Sequence, residues 1–92
     1  MILEKKLFET IYEILRLSGN GSEKTHMMRE AGLSSQKLEK YLTVLLEKNL
    51  MDVKREIYNT TQRGRLFMKR FEKLEDSFNP EVFGQDIIHH SL

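Results

Sequence analysis

Several residue types and segments are scarce in this 92-residue chain, and each scarcity excludes a class of protein. Cysteine is absent, which excludes disulfides, thiolate nucleophiles and cysteine-based zinc sites and is typical of a reducing compartment. A single proline and 39% hydrophobic residues argue against a disordered or collagen-like chain. No segment approaches the ~20 apolar residues of a membrane helix, and the N-terminus lacks a long apolar signal core. The sequence therefore predicts a cytoplasmic protein with no membrane partner.

Motifs for catalysis and for cofactor binding are also lacking. No set of Ser, His and Asp and no acid pair near a glycine-rich loop stands out, and there is no Walker or dinucleotide fingerprint. His89 and His90 are neighbours, which point about 100° apart on a helix and make a poor chelating pair. We therefore expect no enzyme, no cofactor and no metal site, and no small-molecule ligand is evident from the sequence.

The charge of the chain is close to zero overall but is unevenly distributed. Residues 1–33 carry five acids and five bases, whereas residues 34–70 carry nine bases and four acids, a net charge of +5. Residues 71–92 carry one base and five acids, a net charge of −4. A basic middle beside an acidic tail is typical of a polyanion-binding face on a nearly neutral protein. An ordinary solvated surface has a similar composition, so charge alone leaves both interpretations open.

Apolar residues with the helical period predict a first helix over residues 3–17, which the turn-forming residues 18–22 end. Ser22 is expected to cap a short second helix that runs to about residue 31, and Gly32 is expected to take the left-handed position after it. The inner side of this second helix is expected to consist of Thr25, Met28 and Ala31.

A third helix is predicted to begin almost immediately after the second. Ser34 is expected to cap it, Leu33 and Leu38 to pack together as a hydrophobic staple, and Asn49 to end it. Its buried stripe is predicted to contain Leu38, Leu42, Leu45 and Leu46, with Tyr41 at the flank. Its opposite face is polar and comprises Ser35, Gln36, Glu39, Lys40 and Thr43. Two short helices joined by Gly32-Leu33-Ser34 are the sequence form of a helix-turn-helix.

After Asn49 the apolar pattern changes to a period of two. It predicts a hairpin that turns near Lys54-Arg55-Glu56 and returns over residues 57–60, with the register open because the turn lacks Asn-Gly. Thr61 is expected to cap a fourth helix that reaches residue 77 or 78, and Gly64 in its first turn allows another backbone to approach closely. In the tail, Pro80 could begin a short final helix.

The order helix, short helix, tight turn, longer helix, hairpin, helix is that of a winged helix-turn-helix domain. Within it, the elements Leu-Ser, Lys-Tyr-Leu, Leu-Leu-Glu-Lys and Thr-x-x-Gly follow one another in LSSQKLEKYLTVLLEKNL and YNTTQRG. Over residues 3–78 the chain resembles the archaeal winged-helix DNA-binding proteins, and among them the small dimeric type whose last helix forms an antiparallel coiled coil. We accordingly expect a mainly α fold with a small β-hairpin: a DNA-binding domain over residues 1–62, a dimerisation helix over 63–78 and a tail over 79–92.

The resemblance implies a homodimeric transcription regulator that binds double-stranded DNA specifically or semi-specifically. It places the third helix in the major groove and the hairpin, or wing, on the backbone. Two alternatives stay open. One is a nonspecific architectural protein of the nucleoid, and the other is a winged-helix module that binds another protein.

The candidate DNA-binding residues lie on the third helix, at the hairpin tip and at the start of the fourth helix. The Gln36 amide can bond to adenine, and lysines on the same helix can reach guanine or phosphate. A carboxylate at Glu39 either reads the cytosine amino group or repels phosphate. Ser34 also has a purely structural interpretation as a cap. The full set is Ser34, Ser35, Gln36, Lys37, Glu39, Lys40, Lys54, Arg55, Arg63 and Arg65. Weaker candidates for backbone contacts are Lys24, Thr25, His26 and Arg29.

An apolar seam runs along the fourth helix, where large residues repeat at spacings of four, three and four over two heptads. The predicted dimer interface consists of Phe67, Phe71, Leu74 and Phe78. The alternative is that this seam packs within one chain. Leu66 and Met68 lie off the seam and are expected to pack into the domain's own core.

Overall fold

The computed structural model describes residues 2–77, with side chains described from residue 6 to residue 74. The elements are α1 (Ile2–Leu17), α2 (Lys24–Ala31), α3 (Ser35–Glu47), β1 (Met51–Lys54), β2 (Ile57–Thr60) and α4 (Gln62–Ser77). The predicted fold, mainly helical with one small antiparallel hairpin, is confirmed. The predicted tail, with Pro80 and the histidine pair, lies outside the described residues. None of the helices in this described part is long and apolar enough to cross a membrane.

The hydrophobic core joins the first three helices to the hairpin. It consists of Ile14, Leu15, Met27, Leu38, Leu42, Leu45, Leu50, Met51 and Tyr58. The stripe predicted for α3 is confirmed, because three of its leucines are at most 2% exposed while Leu46 and Tyr41 pack at the edge of the core. Burial of a large apolar side chain contributes roughly 1.5–3 kcal/mol. The leucines therefore hold α3 by one face and leave its opposite face to solvent.

The start of α2 differs from the prediction, because Ser22 does not cap this helix. Glu23 occupies the N-cap position. Ser22 instead pairs with Tyr58 of β2: each backbone N–H donates to the other residue's carbonyl, at 2.9 and 2.8 Å. Ser22 thus adds a third short segment beside the hairpin.

The inner face of α2 (Lys24–Ala31) was predicted in part. Met28 packs against the core and Ala31 is half-buried, but Thr25 is exposed. The fully buried residue is Met27, which was not on the predicted inner side. The end of α2 is as predicted, since Gly32 has the left-handed φ of 64°.

Both ends of α3 are stabilised by local hydrogen bonds. At its start the Ser34 hydroxyl accepts a hydrogen bond from the Lys37 backbone N–H at 3.2 Å, which confirms the predicted cap. The helix ends at Glu47, before the predicted Asn49, which has a φ of 60°. The N–H of Leu50 donates to the Leu45 carbonyl at 2.9 Å, a Schellman-type closure that turns the chain toward β1.

The sequence left the register of the hairpin open. In the structure, Met51 pairs with Thr60 at one end of the hairpin and Lys54 pairs with Ile57 at the other. This leaves Arg55 and Glu56 as a two-residue loop with φ values of 50° and 67°. Positive φ at both positions is the signature of a type I′ turn, which matches the twist of the strands but normally selects Asn-Gly. The wing tip therefore has two side chains in a backbone region that disfavours them.

We expect Glu56→Gly to stabilise the protein by about 1 kcal/mol, because glycine adopts positive φ without the clash that a Cβ makes there. The matched control is Glu9→Gly, since Glu9 is an exposed glutamate inside α1. The same change there should destabilise by about 1 kcal/mol through lost helix propensity. Urea denaturation measures both values. A loss of stability at both positions would contradict the positive-φ turn.

The first turn of α4 is fitted against the turn that follows α3. Thr61 caps the helix as predicted: its hydroxyl accepts from the Gly64 N–H at 3.0 Å and donates to the Asn49 carbonyl at 2.7 Å. The Thr61 N–H also donates to the Leu50 carbonyl at 3.0 Å. A Cβ on Gly64 would collide with that carbonyl oxygen and lie 2.6 Å from the Thr60 methyl carbon. The close approach predicted at Gly64 is confirmed.

Further along, α4 packs against α1 of the same chain. The Phe67 ring lies 6.3 Å from that of Phe8, and the Phe71 ring is stacked 5.0 Å from that of Tyr12. The Tyr12 hydroxyl donates to a Glu72 carboxylate oxygen at 2.6 Å, and this hydrogen bond raises the pKa of Tyr12. These contacts fix α4 on the domain beyond its first turn.

Met68 packs at the edge of the core, as predicted. The same prediction for Leu66 is wrong, because this side chain is 48% exposed. Neighbours two apart on a helix point to nearly opposite sides, so the two residues cannot both face the core.

Candidate nucleic-acid interface

The solvent face of α3 is the best-defined surface for binding a partner. Gln36, Lys40, Thr43 and Val44 are exposed: Lys40 lies four residues after Gln36, and Thr43 and Val44 lie three and four residues after Lys40, which places all four on one side of the helix. The buried leucines hold the opposite side. An exposed, mixed polar and apolar helix face backed by a rigid core is suited to insertion into a groove.

The residues at the start of α3 include both a helix cap and exposed polar side chains. The Ser34 hydroxyl caps the helix, which is the structural role that the sequence offered for this residue. Ser35 and Lys37 are exposed beside it. Because the first N–H groups of a helix and a lysine favour anions, this end of α3 is compatible with a phosphate contact.

Glu39 forms an ion pair that sequence reasoning did not foresee. Its carboxylate contacts the ammonium group of Lys24 from α2, and this contact raises the pKa of Lys24. The same ammonium lies 5.9 Å from the centre of the Tyr58 ring on β2. Lys24 thus joins α2, α3 and the hairpin, and it offsets the negative charge that Glu39 brings to the candidate interface. Fifteen residues separate Glu39 from Lys24, and no local pattern signals such a pairing.

The wing carries two cations of the predicted set. Lys54 ends β1 and Arg55 begins the turn, and both side chains are exposed. Glu56 is the other residue of the turn and is exposed as well. The tip therefore combines two positive charges with one negative charge, and its short loop suits contact with a phosphate backbone more than deep groove insertion.

Arg63 and Arg65 are exposed in the first turn of α4, on either side of the buried Gly64. This turn is fitted against Asn49 and Leu50, so both arginines lie beside the end of α3 that is opposite to Ser34. Positions two apart are about 200° apart around a helix. The two arginines therefore do not form one joint site.

The residues of the predicted dimer seam differ in how far they are buried within one chain. Phe67 and Phe71 are half-buried against α1 of the same chain, whereas Leu74 is 56% exposed. Phe78 lies outside the described residues. Within one chain the seam thus has an inner part that is already packed and an outer part that is open.

Two further features of the described residues bear on other possible ligand sites. Among residues 2–77 there is no group of three or more His, Cys, Asp or Glu residues that could hold a metal ion. An open groove of about 240 Å³ lies between the start of α2 and the hairpin. Its lining residues are Glu23, Lys24, Thr25, Glu56 and Tyr58.

Three helices, a hairpin with a tight tip and a following helix define a winged helix-turn-helix domain. The model of the winged helix-turn-helix family matches residues 5–78, so the chain belongs to this family. The match extends from α1 to the end of α4. A comparison with curated proteins finds no match. The winged helix-turn-helix is a DNA-binding fold that is typically non-enzymatic, so membership of the family indicates DNA binding.

Proposed function

We propose that the protein is a homodimeric transcription regulator of the nucleoid that binds double-stranded DNA through α3 and the wing. The observation that carries this proposal is the exposed face of α3, held by three buried leucines on its other side. The 13 residues of α3 span about 20 Å at ~1.5 Å per residue. A B-DNA major groove, about 12 Å wide, accepts a helix of this kind.

The chemistry of this face supports base contacts as well as phosphate contacts. The Gln36 amide can donate to and accept from the adenine edge, and Lys40 can donate to guanine acceptors or to a phosphate. The lysine and arginine of the wing tip supply cations for the flanking phosphates. Few side chains on the face can read bases, which favours modest rather than stringent sequence specificity.

The homodimer rests on the apolar surface that α4 leaves open. Leu74 and Leu66 are both about half exposed on this helix, although each is a large apolar side chain. A second copy of α4 can cover Leu74 and the outer parts of Phe67 and Phe71. A two-fold dimer of this type would present two copies of α3 to two half-sites.

The first test is a titration of the protein onto random-sequence duplex DNA at several salt concentrations, with the mass of the free protein in solution determined in parallel. The logarithm of the association constant should fall linearly with the logarithm of salt, by about 0.9 for each neutralised phosphate. The mass should be that of a dimer. An absence of binding at low salt would overturn the proposal and favour the protein-binding alternative.

We expect Lys40→Ala and Arg55→Ala each to reduce the salt slope by about 0.9 per protomer and, at 0.1 M salt, to weaken binding about eightfold per lost contact, which is about 60-fold for a dimer that loses two. The magnitude follows from the counterions that each lost phosphate contact no longer releases. Lys6→Ala is the matched control, since Lys6 is an exposed lysine on α1. Circular dichroism should show that all three variants fold. Unchanged affinity in both test variants would exclude this binding face.

A further inference from the structure

We infer that Thr43 and Val44 form a contact site for the 5-methyl group of thymine, which makes the protein favour A·T pairs beneath the second half of α3. This inference rests on the proposed function, because it names the base that the α3 face recognises. The chemical group concerned distinguishes thymine from uracil and from unmodified cytosine. It lies in the major groove of the duplex.

The exposure of Val44 is the first observation. This valine is 43% exposed, whereas Leu42 and Leu45 on either side of it in the sequence are at most 2% exposed. It lies one helical turn after Lys40 and two turns after Gln36, on the face that the proposed function places in the groove. An aliphatic group among amide and ammonium groups suits an apolar feature of the DNA.

The hydrogen bonding of Thr43 is the second observation. Its hydroxyl donates to the Glu39 backbone carbonyl at 2.8 Å, within the helix. The hydroxyl proton is therefore already used, and Thr43 offers a partner its methyl group rather than a hydrogen-bond donor. Thr43 and Val44 thus each expose aliphatic carbon in one turn of α3, in directions about 100° apart around the helix axis.

The major groove offers one apolar group that matches these side chains. Thymine exposes its C5 methyl there, whereas the other bases present mainly hydrogen-bond donors and acceptors. Threonine methyl and other small apolar groups contact this methyl in direct readout. Gln36 on the same face suits adenine, so the two halves of the face favour the same base pair.

The test compares two alternating A·T duplexes that differ only in the presence of thymine or deoxyuracil. Both duplexes have the same phosphates and the same base pairing. Because the sequence alternates, thymine or uracil lies beneath α3 wherever the protein binds along the duplex. We expect the wild-type protein to bind the uracil duplex more weakly, by about fourfold for each methyl group that becomes buried. Affinities are measured by fluorescence anisotropy at one fixed salt concentration.

Variants of Thr43 and Val44 test whether these two residues cause the preference for thymine over uracil. Val44→Ala and Thr43→Ser should each lower the ratio of thymine to uracil affinity toward one. Val53→Ala is the matched control, since Val53 is 40% exposed but lies on β1, and it should keep the wild-type ratio.

Equal affinity of the wild-type protein for the two duplexes would overturn this inference and leave DNA binding itself intact. A preference for thymine that survives in both test variants would also overturn it, because the contact would then lie elsewhere. Failure to bind either duplex would instead overturn the proposed function, and the inference with it.

Discussion

Gly64→Ala should destabilise the protein by about 3 kcal/mol, near the upper end of the usual cost of overpacking. Helix propensity alone favours alanine by about 1 kcal/mol, so two effects of opposite sign compete at this position. The collision prevails because the obstacle is the Leu50 carbonyl oxygen, a backbone atom. That oxygen can retreat only by disturbing its hydrogen bond from the Thr61 N–H at 3.0 Å.

Gly19→Ala provides the control for this prediction. A Cβ there would lie 3.4 Å from its nearest neighbour, the Arg16 carbonyl oxygen, which is an ordinary contact. We expect Gly19→Ala to be neutral or slightly stabilising, because alanine restricts the unfolded chain. Both variants are compared by urea denaturation followed by circular dichroism. A loss below about 1 kcal/mol in Gly64→Ala would show that α4 can shift away from the α3 turn at little cost.

Thr60→Val should destabilise the protein by about 2 kcal/mol, the usual cost of leaving a buried carbonyl without its hydrogen bond. Thr60 is 3% exposed, and its hydroxyl donates to the Leu15 carbonyl at 2.6 Å near the end of α1. The N–H of Gly19, four residues after Leu15, donates to the Arg16 carbonyl instead. Valine keeps the shape of threonine, so the change isolates the hydroxyl.

The same substitution at Thr10 is the control for Thr60→Val. The Thr10 hydroxyl donates to the Lys6 carbonyl at 2.9 Å on the solvent side of α1, where that carbonyl is accessible to water. We expect Thr10→Val to change the free energy of unfolding by less than about 0.5 kcal/mol, as is usual at the surface. Equal effects at the two positions would mean that burial of the Leu15 carbonyl is not the cause.

The parts of the fold that were predicted correctly depend on neighbouring residues. The cap at Ser34, the glycine after α2, the hairpin and the Thr61 cap each follow from a few adjacent side chains and their backbone preferences. The α3 stripe follows from the helical period. The close approach at Gly64 was also foreseen, since an absent side chain in a first helical turn is informative by itself.

The error at Leu66 is local, because residues two apart on a helix cannot both face the core. The other errors concern contacts between residues that are distant in sequence. Ser22 has the side chain of a helix cap, but its backbone is used by Tyr58, which is 36 positions later. With that pairing, α2 begins only at Lys24, after the Glu23 N-cap. The Lys24 and Glu39 ion pair was missed for the same reason. The candidate DNA contacts are exposed, and their assignment to bases and phosphates stays a prediction.

The junction between α3 and α4 has a consequence for how two chains could measure distance along DNA. Because the first turn of α4 packs directly on the turn that ends α3, the helix proposed to contact DNA is fixed against the helix proposed to hold the partner. Moving the partner contact by one residue along α4 would shift it by about 1.5 Å and rotate it by about 100°. The distance between the two half-sites and their relative rotation about the DNA axis would therefore change together. A related protein could not adopt a new spacing by extending α4 by one residue, because each added residue would also rotate the partner.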